Sequence, residues 1–121
     1  MGVERFEDLE AWRRARELTR EIYLATSGGG FARDFGLRDQ IQRAAVSVMS
    51  NLAEGFERDS PRDNHRFVCI AKGSAAEVRA QLYVASDVGY LDDDTFGRLH
   101  DLTLHVSRLI GGYRRSLQRR L

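Results

Sequence analysis

Proline occurs only once in these 121 residues, at Pro61, and apolar side chains recur at steps of three and four on both sides of it, so the chain has little choice but to be helical. No stretch alternates apolar and polar residues with the period of two that a half-buried strand needs. The pattern is all-α. Phe6, Leu9, Trp12, Ala15, Leu18, Ile22 and Ala25 mark a first helix over about 6–26, which the glycines of SGGG (27–30) end, because glycine suits C-terminal caps and flexible turns. A second helix is predicted over about 34–58, with Leu37, Ile41, Ala44, Ala45, Val48, Leu52 and Phe56 inward. SPRD (60–63) then reads as a helix start: Ser60 caps an orphan amide, Pro61 takes the first helical position and Asp63 faces the positive end of the dipole. That third helix spans about 61–88 and turns Phe67, Ile70, Ala71, Ser74, Val78, Leu82 and Ala85 inward. Leu91, an Asp92 cap and Phe96 open a fourth over about 92–119, whose inner side carries Phe96, Leu99, Leu102, Val106, Leu109, Tyr113 and Leu117.

Long helices joined by short connections predict an antiparallel up-down-up-down four-helix bundle, a single domain over 1–121. Each large apolar side chain buried in such a core stabilises it by roughly 1.5–3 kcal/mol. No apolar run approaches the roughly 20 residues that cross a bilayer, and the charged start MGVERFEDLEAW has no signal-peptide core, so a cytoplasmic protein with no membrane partner is expected. The single cysteine, Cys69, forms no internal disulfide and is expected as a buried thiol.

Two surfaces remain once the core is filled. On the second helix Gln40, Arg43, Ser47, Asn51 and Glu54 form a polar stripe beside the apolar one, where hydrogen bonds across a helix interface explain poor helix formers better than solvent does. Glu54 is expected to pair with Arg43 or with Arg58 at i+4. On the third helix Cys69, Gly73, Ala76, Ala80 and Tyr83 make a second face of mostly small residues, which lets another backbone approach and predicts a homo-oligomer.

Net charge is +1, but the C-terminal end is uneven: Arg108, Arg114, Arg115, Arg119 and Arg120 gather on the fourth helix, and GGYRRSLQRRL contains no acid. Arginine forks suit phosphate, so this end could bind RNA or DNA, and its cations could equally satisfy a helix C-terminus. Catalysis is not expected. His65, His100 and His105 lack metal-ligand spacing, SGGGF lacks the Gly-Lys-Ser/Thr of a phosphate loop, and no Ser, His and Asp spacing singles out a nucleophile with its base. No metal or cofactor is expected either.

Three strings, RFEDLEAWRRARELTREIY (5–23), FGLRDQIQRAAVSVMSNLAEGFER (35–58) and FVCIAKGSAAEVRAQLYVASDVGYL (67–91), together resemble the four-helix bundle family encoded in intervening sequences of bacterial large-subunit rRNA. The family in turn is similar to the accessory variability protein of diversity-generating retroelements, a basic pentameric ring that binds nucleic acid and a reverse transcriptase. The resemblance implies a ring-like homo-oligomer, a homopentamer, that is associated with nucleic acid and brings no catalytic residues. Its motif positions here are Gln40, Arg43, Ala44, Ala45, Ser47, Asn51, Glu54 and Gly55, then Ala71, Gly73, Ser74 and Glu77. Two departures stand out: Met49 where many members have proline, which predicts a straighter second helix, and Phe31-Ala32 where many have Phe-Pro, which predicts a looser first connection.

The expected function is a non-enzymatic oligomeric bundle that binds RNA or DNA through its arginines. The alternative is a protein-binding scaffold, an accessory subunit for a reverse transcriptase or another enzyme, whose charge keeps it soluble.

Overall fold

The computed structural model describes residues 2–121 and contains five helices: α1 (Glu10–Ala25), α2 (Gly29–Arg33), α3 (Phe35–Phe56), α4 (Pro61–Asp87) and α5 (Asp93–Gln118), with a 3-10 turn at Phe6–Asp8 ahead of α1. Among the described residues there is no strand. The four long helices form an all-α bundle in which α1 packs on α3 and α5, and α4 packs on α3 and α5. Side-chain registers fix the directions. Ser47 meets Ser74 while Gln40 meets Gln81, and Asn64 meets Tyr113 while Lys72 meets Ser107, so each helix runs against the next.

Local chemistry sets the starts of α3, α4 and α5 where the sequence predicts them; the first helix differs, since Phe6–Asp8 form a 3-10 turn and an extended Leu9 delays the α-helix to Glu10. Asp34, Ser60 and Asp92 each accept a backbone N–H three residues on, from Leu37, Asp63 and Thr95, which satisfies donors that a helix start leaves orphaned. At the C-terminal end of α4, Gly89 takes φ +82°, and Tyr90 N–H reaches Ala85 O at 2.9 Å. This is a Schellman cap, which a residue with a Cβ adopts only under strain.

The first connection is not loose. Its glycines give way to the short helix α2, whose Phe31 is 1% exposed and lies 5.4 Å from the Tyr90 ring. Tyr90 Oη donates to Asp34, the cap of α3, so Phe31, Tyr90 and Asp34 pin α2 to the loop before α5. Met49 lies within an unbroken α3.

Leu18, Ile22, Ile41, Val48, Leu52, Val78, Leu82, Leu99, Val106 and Leu117 fill the core at 0–1% exposure. The α4 expectation needs one correction. Ile70 is not inward: it is 46% exposed, and Val68, at 0%, holds the core position. Apolar residues surround α4 so widely that the position of α3 and α5, rather than spacing, decides which stripe goes inside.

Candidate nucleic-acid interface

The α3–α4 seam is built around Gly55. A Cβ there would stand 2.7 Å from Asn64 Oδ1, 2.9 Å from Phe67 Cβ and 3.1 Å from the Asn64 carbonyl, so only glycine lets the two backbones come this close. Two turns up, Ser47 and Ser74 share a 2.8 Å hydrogen bond, and Asn51 Nδ2 donates back to Ser47 O and Oγ. Beyond them Gln81 donates to Gln40 Oε1, and Gln40, Arg43, Ser47, Glu77 and Gln81 line one shallow groove. Glu54 is exposed and pairs with Arg58 at 3.2 Å, the i+4 partner expected of it. The motif stripe is therefore mostly a helix-to-helix network, with Arg43 and Glu77 on its solvent side.

The second face of α4 is open. Gly73, Ala76, Ala80 and Tyr83 are exposed, and Cys69 is half-buried rather than buried, its Sγ 3.8 Å from His65 Nδ1. Nothing lies within 4 Å of a Cβ placed on Gly73. Ile70, Gly73, Glu77, Ala80, Val84 and Val88 follow one another at steps of three and four, which makes a continuous exposed stripe along the helix. Tyr83 turns from that stripe toward α5, where its ring lies 5.2 Å from Phe96 and 5.4 Å from His100 and its hydroxyl is 3.1 Å from His100 Nε2.

The five arginines expected to gather at the C-terminal end do not form one patch. Arg108 and Arg119 lie on the outer side, Arg114 is half-buried toward α4, Arg115 is exposed but reaches back over Gly111 toward Lys72, and Arg120 lines an open cleft of about 450 Å³ with Arg58, Asp59, Asn64 and Tyr113. What the structure adds is Lys72, the only lysine, and Arg79. Lys72 Nζ donates to Ser107 Oγ at 2.9 Å and to Ser107 O at 3.3 Å. Burial, then the nearby charges of Arg114, Arg79 and Arg115, pull its ammonium below the ordinary lysine range. Gly111 lies beneath both cations: a Cβ there would make ordinary contacts, 3.5 Å from Arg115 Nη1 and 3.8 Å from Lys72 Nζ. Arg5, Arg13, Arg14, Arg38, Arg58 and Arg98 are paired with acids; Lys72, Arg79, Arg108, Arg114, Arg115, Arg119 and Arg120 have no ion pair among the described residues, and neither do Arg16, Arg20, Arg33, Arg43, Arg62 and Arg66. Sequence spacing alone does not find this cluster, because its two halves come from helices whose register is set by packing.

The model of the 23S rRNA-intervening sequence protein family matches residues 7–112. The chain belongs to this family. A solved structure from Bacteroides thetaiotaomicron, described as a protein of unknown function from the S23 ribosomal protein family, superposes with a TM-score of 0.79. The match covers 86% of this chain and 97% of that one at 18% identity, which establishes a common fold and no more. No curated protein matches the chain. The family span contains the Gly55 approach, the Ser47–Ser74 network, Lys72 and Arg79, but stops before Arg114, Arg115, Arg119 and Arg120. Among the described residues no group of His, Cys, Asp and Glu could hold a metal, and no helix is long and apolar enough to cross a membrane.

Proposed function

We propose that this member of the 23S rRNA-intervening sequence protein family is a non-enzymatic, oligomeric bundle that binds RNA or DNA through cations of α4 and α5. One observation carries the reading: Lys72 and Arg79 of α4 gather with Arg114 and Arg115 of α5, and none of the four is ion-paired among the described residues. Crowding like charges works against folding, and a polyanion supplies the missing counter-charge. The exposed stripe Ile70, Gly73, Ala80, Val84 is the surface for further copies of the chain, which close into a ring and multiply the basic patch.

Binding to RNA measured against salt tests this. Affinity should fall steeply as salt rises, by a slope of roughly 0.7–0.9 per phosphate contacted, and Arg115→Glu with Arg119→Glu should weaken unrelated sequences alike. A flat salt dependence, or no binding at low salt, overturns it. The same exposed stripe supports a second reading, docking of another protein such as a reverse transcriptase. A stoichiometric complex with that protein in which RNA neither binds nor competes would favour it.

A further inference from the structure

The α4–α5 seam carries more than charge. From the α5 C-terminal end it presents Arg114 and Arg115, then Lys72 against Ser107, then Arg79, and finally the rings of Tyr83, Phe96 and His100. Lys72 and Tyr83 are eleven residues apart on one helix, so about 16 Å separates them along the axis. The antiparallel register that pairs Lys72 with Ser107 and Tyr83 with Phe96 keeps both groups on the side of α4 that meets α5. Phe96 and His100 stack at 5.3 Å with 28° between their planes, and Tyr83, which is 50% exposed, leaves part of its ring to solvent. Asp93 and Asp94 in the first turn of α5 bound the aromatic end with negative charge, so phosphates belong at the other end.

We infer that the α4–α5 seam binds a single-stranded nucleic acid, its phosphates held by Lys72, Arg79, Arg114 and Arg115 and a base stacked on Tyr83 beside Phe96 and His100. A duplex offers phosphates but keeps its bases in its own stack, so it can use the cations and not the rings. Single strands use both, since every base has a π-face for an aromatic side chain. Arg79, half-buried and without an ion pair among the described residues, stands between the two groups along α4, where the backbone would pass from one to the other. Lys72, Arg79 and the aromatic group lie within the family span, whereas Arg114 and Arg115 lie beyond it, so the seam joins family positions to the C-terminal end of this chain.

The inference rests on the nucleic-acid reading above, and the test separates the two. Oligothymidylate and a duplex of equal length are titrated with the full chain at two salt concentrations. The single strand should bind more tightly, and Tyr83→Leu, which keeps apolar bulk against Phe96 without a π-face, should weaken it by about tenfold while leaving the duplex unchanged. Tyr83→Trp should retain affinity, and its fluorescence should be quenched by the stacked base above the Trp12 background. Lys72→Gln and Arg115→Gln should each lower the single-strand salt slope by about 0.7. Equal affinity for both forms, with Tyr83→Leu neutral and losses only in Arg108, Arg119 and Arg120 variants, would overturn the seam and leave the proposed function standing. No salt-sensitive binding of either form overturns both. If Tyr83→Leu does not fold, an unquenched Tyr83→Trp in a folded chain overturns the stacking on its own.

Discussion

Gly55→Ala is the substitution that tests the α3–α4 geometry most directly. Alanine is the better helix former by about 1 kcal/mol, so at an open helical site the change stabilises. At Gly55 the new methyl would sit 2.7 Å from Asn64 Oδ1, 2.9 Å from Phe67 Cβ and 3.1 Å from a backbone carbonyl of α4. The Asn64 carbonyl lies in the first turns of α4, behind the Ser60 cap, so it yields only if the helix shifts. Overpacking costs roughly 1–3 kcal/mol, and with three contacts, one to backbone, the upper end applies. Subtracting the propensity gain leaves a net loss of about 2 kcal/mol, or a fall in Tm of roughly 6–10 °C for a domain of this size. Thermal and urea unfolding followed by circular dichroism measure it. Gly73→Ala, with nothing within 4 Å, is the control and should gain up to about 1 kcal/mol in the isolated bundle. A Gly55→Ala chain as stable as the parent would refute the close approach and the reason for glycine in the motif.

Tyr113→Phe should destabilise by about 1–3 kcal/mol, because Asn64 Nδ2 loses its 2.8 Å partner in a position where Asn64 Oδ1 already has none. Burial raises the Tyr113 hydroxyl above its ordinary value of 10.0, so its contribution is complete below that pH and is lost as pH rises through the raised value; alkaline melts of the two proteins should therefore converge. The Asp92 carboxyl moves the other way, held below 3.8 by the Thr95 amide, so Asp92→Ala should lower Tm at neutral pH and the gap should close as acid carries the solution through that lowered range. Val84→Glu on the exposed α4 stripe should leave a folded chain with the 13.8 kDa mass of a monomer by light scattering, whereas the parent should be heavier; a monomeric parent at high concentration sinks the homo-oligomer.

Helix ends were legible where the signal is local. Ser60-Pro61-Arg62-Asp63 and Asp92 begin helices because one side chain and one amide three residues on settle the matter. The core side of α4 was not, since Val68 and Ile70 are equally apolar and two positions apart, and only the placement of α3 and α5 puts one at 0% and the other at 46% exposure. Phe31 escaped because three glycines before it read as a break, while the partner that orders it, Tyr90, is far along the chain. The motif stripe Ser47, Asn51 and Ser74 was legible as an interface because weak helix formers had no other evident reason to be there. Lys72 and Arg79 join Arg114 and Arg115 only through the antiparallel register, a non-local fact.

The two outer surfaces of α4 can work together because they diverge. Ile70, Gly73, Ala80 and Val84 follow the side farthest from the bundle axis, whereas Lys72, Arg79 and Tyr83 lean toward α5, as the contacts with Ser107, Phe96 and His100 require. Copies that meet along the first stripe would leave the second open beside each interface. Every added copy would then bring one more cation cluster to the same strand, so a modest affinity at one seam becomes a large one around a ring. The consequence is directional: a chain made monomeric at Val84 should keep single-strand preference and its dependence on Tyr83 while losing most of its affinity. Loss of the preference as well would mean that the binding site is assembled between subunits, not along the seam of each.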